Sequence, residues 1–158
     1  MLTRRAWLGK AAGVAVAVLA GRSSLAAQHV APKVLVYKSP TCGCCSNWVD
    51  HMAEAGFETT VRDVTDLSTL KRELGVPATL ASCHTALVDG YLLEGHVPAD
   101  VALKFLTEKP QAAGLAVPGM PMGSPGMEGP TSEPYDILLF RRDGTSQVYA
   151  TRSGERSE

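Results

Sequence analysis

The sequence predicts an α/β domain: a mixed β-sheet with flanking helices, a long Pro/Gly/Met loop and a C-terminal β-hairpin. Three observations predict it. An apolar run, Lys33-Val34-Leu35-Val36-Tyr37-Lys38, leads through a short turn into a segment of helical spacing, and a β-rich run follows. Such a strand–helix–strand unit should be parallel and right-handed. Further on, Asp89-Gly90 joins two short apolar runs, the best short hairpin signal. Finally, 158 residues that are 45% hydrophobic and 20% charged suffice for one domain with a genuine core.

Each element has its own justification. The first strand is apolar on both faces and belongs in the middle of a sheet. The helix predicted over Gly43 to Gly56 carries Cys45, Trp48, Val49, Met52 and Ala53 at core-facing spacing, with Gly56 as its stop. Phe57 to Asp63 alternates and is rich in β-formers, so it is the second strand. Asp66 caps a second helix with Leu67, Leu70 and Leu74 on one face, and Gly75 ends it. Thr85 to Val88 and Tyr91 to Glu94 form the hairpin. Pro98 suits the first turn of a third helix, whose apolar positions are Val101, Leu103, Phe105 and Leu106. The order β-α-β-α-β-β-α is the thioredoxin-like order. From Pro110 to Pro134 the chain turns to Pro, Gly and Met without a period, and reads as a long structureless loop of the kind that is functional or disordered. Tyr135 to Phe140 resumes a strand, Asp143-Gly144 turns it and Gln147-Val148-Tyr149 returns. The chain divides into an export signal (1–27), a linker (28–32), one domain (33–150) and a polar tail (151–158).

The N-terminal segment is an address. Arg4, Arg5 and Lys10 precede an apolar run from Ala11 to Ala20, and Ser24-Leu25-Ala26 offers a small-x-small cleavage site. The run is far short of the ~20 residues that span a bilayer. The paired arginines resemble a twin-arginine signal, with ordinary secretion the alternative. The expected location is therefore the periplasm, with no stable membrane span in the mature chain. Those 27 residues hold four of the fifteen basic residues and no acid, so the remainder carries 11 basic against 16 acidic groups, a net of −5. An acidic body argues against nucleic acid as partner.

In an oxidising compartment cysteines serve as disulfides, metal ligands or redox catalysts. Three of the four cluster in Ser39-Pro40-Thr41-Cys42-Gly43-Cys44-Cys45, at a strand-to-helix turn where a helix dipole stabilises thiolate. Two structural disulfides are one reading, but Cys42, Cys44 and Cys45 are too close to close a useful loop. A second is thiol–disulfide exchange through Cys42 and Cys45, a Cys-x-x-Cys pair, with Pro77 facing it; the neighbouring Cys44 would invite misdirected mixed disulfides. The third is a soft-metal site of Cys42, Cys44, Cys45 and Cys83. Adjacent Cys44 and Cys45 point apart, which suits several thiolate-bridged Cu(I) ions better than one tetrahedral zinc. This reading makes a backbone demand. An extended strand from Pro77 would carry Cys83 ~20 Å away, so Ala78 to Ser82 must be a loop or helical turn and the strand must start after Cys83. His84, His96, Met120, Met122 and Met127 are candidate auxiliary ligands or supporting residues, and His51 reads as a surface or hydrogen-bonded histidine.

The cysteine turn with Trp48, then Gly75-Val76-Pro77, Ser82-Cys83-His84-Thr85-Ala86, Glu94-Gly95-His96-Val97-Pro98-Ala99 and Gly114 to Pro121, resemble the CopG-like periplasmic metal-binding family, associated with copper resistance. The match runs from about Lys33 to Tyr149. The resemblance implies a thioredoxin-like fold and a copper site on Cys42, Cys44, Cys45 and Cys83. The expected function is Cu(I) binding, in copper resistance or handling and with other periplasmic copper-handling proteins as partners. The alternatives are a thiol–disulfide oxidoreductase and a redox-active copper protein.

Overall fold

A computed structural model describes residues 30–152. The export signal read in residues 1–27 lies outside the described residues. Strand β1 (Lys33–Lys38) buries Val34 and Val36 and sits between β2 (Glu58–Asp63), to which it is parallel, and β3 (His84–Val88), to which it is antiparallel. The central position follows from its two apolar faces.

Helix α1 (Gly43–Glu54) connects β1 to β2 and buries Cys45, Trp48 and Met52. Ala53, expected to face the core, is exposed. One residue is 100° of rotation on an α-helix, so a stripe through 45, 48 and 52 leaves position 53 at its rim. Helix α2 (Leu67–Leu74) starts at Asp66, whose Oδ1 accepts from the Thr69 amide at 3.0 Å, and stops at Gly75 in the left-handed region (φ 82°). A single 3-10 turn (Ala78–Leu80) then folds the chain back, and β3 begins at His84, as the reach argument required.

Strands β3 and β4 (Tyr91–Glu94) form the hairpin across Asp89 (φ 48°) and Gly90 (φ 83°), the two left-handed residues of a type I′ turn. Helix α3 (Ala99–Glu108) follows and buries Val101, Ala102, Phe105 and Leu106. Leu103, expected inside, is 37% exposed; a stripe of that spacing turns it to solvent.

The stretch Pro110–Pro134 is not structureless. It contributes β5 (Gly114–Ala116), buried throughout, which pairs parallel with β4 and antiparallel with β6 (Tyr135–Phe140). Three residues buried on both faces show no alternation, so periodicity could not reveal them. Glycine is required at 114: a Cβ there would stand 1.9 Å from the Leu92 carbonyl oxygen. Strand β7 (Ser146–Arg152) completes a seven-stranded sheet in the order β2-β1-β3-β4-β5-β6-β7. It runs to Arg152, into the stretch read as tail, and Arg152 pairs there with Asp100. The larger core, centred on Val36, Trp48, Met52, Ala86, Leu93, Phe105, Leu115 and Ile137, includes residues of the sheet and of helices α1 and α3, and a smaller one gathers Val76, Leu80, Leu92, Ala116 and Phe140. Among the described residues no helix is long and apolar enough to cross a membrane.

Candidate metal centre

The end of β1 delivers Ser39 to the α1 N-terminus, where Cys42 is the cap residue and Cys44 and Cys45 fall in the first turn. The Cys42 amide donates to the Ser39 carbonyl at 3.1 Å and closes the turn. No acidic residue occupies that turn, so the positive end of the helix faces the sulfurs without a competing carboxylate.

Cys83 enters from the other side. The 3-10 turn brings it back so that the Sγ atoms of Cys42, Cys44, Cys45 and Cys83 all lie within 4.8 Å of one another. Cys42 and Cys44 Sγ are 3.4 Å apart, and Cys45 Sγ is 3.9 Å from the Cys83 carbonyl oxygen. Cys42 and Cys45 are joined as a disulfide, while Cys44 and Cys83 are free thiols. The bonded pair is thus the Cys-x-x-Cys that spacing made a redox candidate. Its short loop, an argument against structural disulfides, does not prevent it, because one helical turn brings positions 42 and 45 within bonding reach.

Both candidate histidines meet Cys83. His96 Nε2 is 2.9 Å and His84 Nδ1 is 3.3 Å from its Sγ, and the three ligand atoms lie within 4.8 Å of one another. Hydrogen-bond partners assign the His96 tautomer. Its Nδ1 faces the Pro125 carbonyl at 2.7 Å and must donate, so Nε2 is the lone-pair nitrogen and the Cys83 thiol donates to it. Burial holds both imidazoles below the ordinary histidine pKa, His84 the further; His96 acts on His84 in the same direction, whereas the Pro125 carbonyl partly offsets the shift at His96. Burial first, then the neighbouring Cys44, pushes the Cys83 thiol up to about 12. The site therefore combines a protonated Cys83 with two neutral imidazoles, the form in which histidine ligates metals. His84 Nε2 is buried and has no hydrogen-bond partner among the described residues. Trp48 fixes the His84 ring from below, with centroids 4.4 Å apart, and donates its own Nε1–H to the Val97 carbonyl at 2.9 Å.

The Pro/Gly/Met loop covers this cluster. Besides the Pro125 carbonyl, Gly126 lies so close that a Cβ there would stand 2.6 Å from the Cys44 carbonyl oxygen. Met120 is 51% exposed; Met122 and Met127 are half-buried, and their backbones bond within the loop. His51, on the far end of α1, accepts from the Ala99 amide at 3.1 Å through Nε2, a hydrogen-bonded histidine as expected.

Three supporting residues had no such role assigned from the sequence: Lys71, and Glu94 and Ser82, which entered only as parts of the family motifs. Lys71 Nζ bonds Thr85 Oγ1 at 2.8 Å and Glu94 Oε1 at 2.5 Å, and all three groups are buried. The signal was present, since Lys71 falls four residues after Leu67 and three before Leu74, on the inward face of α2.

An α/β domain with a cysteine turn opposed by Cys83, His84 at the start of β3 and His96 just after β4 defines a soft-donor centre. Two solved structures of a copper resistance protein, CopG, in form 1 and form 2, are similar to this chain. Each is 42% identical with a TM-score of 0.74; the first match covers 79% of this chain and 100% of that one, the second 78% and 99%. The chain belongs to the CopG family of copper resistance proteins. A family described as a protein of unknown function, DUF411, matches residues 80–127, which include Cys83, His84 and His96 but not the cysteine turn. No curated protein matches the chain.

Proposed function

We propose that this chain binds Cu(I), as more than one ion, through the sulfurs of Cys42, Cys44, Cys45 and Cys83, and serves in copper resistance or handling. One observation carries the reading: four sulfurs from two segments 38 residues apart lie within 4.8 Å of one another, a donor set that soft Cu(I) favours and bridges. His84 and His96 adjoin it as neutral nitrogen ligands or as groups that orient Cys83. The Cys42–Cys45 disulfide must first take up two electrons and two protons from a thiol-type reductant to yield two thiols. Cu(I) then displaces thiol protons, so loading releases acid. The CopG relatives are copper resistance proteins by name, which supports the same metal here. Export to the periplasm under the direction of residues 1–27, and hand-over of copper to another copper-handling protein there, complete the proposal.

The test is anaerobic Cu(I) titration of the reduced chain against a competing chelator, followed in the thiolate-to-copper absorption region. More than one Cu(I) per chain is expected; uptake of a single zinc ion with no copper overturns the reading. A second reading, thiol–disulfide oxidoreductase, is favoured by the disulfide across the first turn of α1. Cys44→Ser separates the two. It abolishes tight copper binding under the first reading, and leaves insulin-disulfide reduction intact under the second.

A further inference from the structure

The segment that carries Cys83 has little regular structure of its own. Between the 3-10 turn and β3 its ladder contact is a single bridge from Ser82 to Gly119. To that bridge and the Ser82 hydroxyl's bond to the Gly119 carbonyl a buried side chain is added. Glu94, at the end of β4 and without solvent exposure, accepts the Ser82 amide on Oε1 at 2.6 Å, and on the same oxygen accepts Lys71 Nζ. Its Oε2 accepts Thr85 Oγ1 at 2.6 Å, and Thr85 in turn accepts from Lys71. The next residue, Gly95, donates its amide to the His84 carbonyl at 3.0 Å. Cys83 is therefore bracketed on both sides by two consecutive residues, 94 and 95. Gly95 also has to be glycine, because its φ is 70° and a Cβ there would stand 2.6 Å from the Val117 carbonyl oxygen.

Stability is a weak reason for a charged pair at this place. A buried ion pair can commonly be exchanged for apolar residues of like volume without loss. What an apolar pair lacks is an acceptor for the Ser82 N–H.

We propose that Glu94, oriented by Lys71 and Thr85, is a positioning residue that fixes the Ser82 amide and through it the place of Cys83 Sγ opposite the cysteine turn and against His96. The proposal rests on the reading of Cys83 as a copper ligand.

The experiment uses the full chain, reduced and metal-free, in two variants that break one bond from its two ends. Lys71→Met/Glu94→Leu removes the acceptor together with both charges. Ser82→Pro removes the donor together with the Ser82 hydroxyl that bonds the Gly119 carbonyl, a loss that Ser82→Ala isolates as its control, and Ala81 already holds the extended conformation (φ −62°, ψ 139°) that precedes a proline. Alkylation of Cys83 by iodoacetamide, read by peptide mass spectrometry, is expected to accelerate at least tenfold in both. Cu(I) binding is expected to fall as far as in Cys83→Ser, with no further loss when either change is combined with it. Lys71→Met/Glu94→Gln, which keeps a carbonyl for the Ser82 amide and leaves no unpaired charge, is expected to stay within threefold of the native chain in both measurements. Native alkylation and copper binding in a folded variant overturn the proposal, and whichever variant folds decides. Loss of folding in both also overturns it, since the bond would then serve the fold rather than the sulfur. If the native chain takes up no Cu(I), the copper reading falls while the alkylation rates still test the positioning.

Discussion

The two halves of the cysteine cluster are built in opposite ways. The turn half, Cys42 to Cys45, comes from consecutive residues at one helix N-terminus, and both Cys42 and Cys44 are partly exposed. The sheet half sets a partly exposed Cys83 against His84 and His96, both fully buried, drawn from the start of β3 and the loop after β4 and held by Trp48, Glu94 and the covering loop. The difference separates chemistry from frame. The turn presents Cys42 and Cys44 at its surface and anchors only Cys45 in the core, whereas the other half buries both of its imidazoles behind Cys83.

If that division holds, the halves should differ in what they contribute to stability. Trp48→Ala removes the support of His84 and the bond to Val97 and should cost about 3–5 kcal/mol in urea unfolding; a loss under 1 kcal/mol would erase the contrast. Reduction of the Cys42–Cys45 disulfide opens a loop of only four residues, so chain entropy assigns it about 2 kcal/mol. A larger fall on adding reductant would make the turn a structural staple. Burial lowers the pKa of His51, His84 and His96 below the ordinary 6.5. The unfolded chain then binds more protons than the folded one. Stability is therefore fully present above pH 6.5 and is lost as pH falls toward the lowered folded values, with a slope of at most about 1.4 kcal/mol per pH unit for each histidine. Unfolding midpoints of metal-free protein between pH 7.5 and 5 should fall with acid; a flat profile would contradict the neutral imidazoles. The smallest effect belongs to the turn: Cys44→Ser should change unfolding free energy by less than about 0.5 kcal/mol, even where it abolishes copper binding.

The same division governs what could be read in the sequence. The turn half is legible because its residues are adjacent: a strand signal, a cysteine cluster and a helical stripe follow one another within Lys33 to Met52. Cys83 was legible indirectly, since the reach of an extended chain forced the segment after Pro77 to fold back, and the 3-10 turn does so. The Lys71–Glu94 pair was legible only in half: the spacing from Leu67 and Leu74 turns Lys71 inward, but α2 and β4 reveal their contact only once packed. Strand β5 escaped for want of length, and the covering of His96 depends on the loop after Val117, whose path no period encodes.

That loop has a further consequence. It is fastened to the site by its main chain: the Gly119 and Pro125 carbonyls accept from Ser82 and His96, and the Val117 amide donates to the Glu94 carbonyl. A fastening of this kind survives replacement of nearly any side chain along it. An engineer could therefore exchange Met120, or graft a tag beside it, and keep the cover in place. The inheritance that matters here is of shape, carried by Gly123 and Gly126, where a Cβ would strike Ser132 or the backbone of α1.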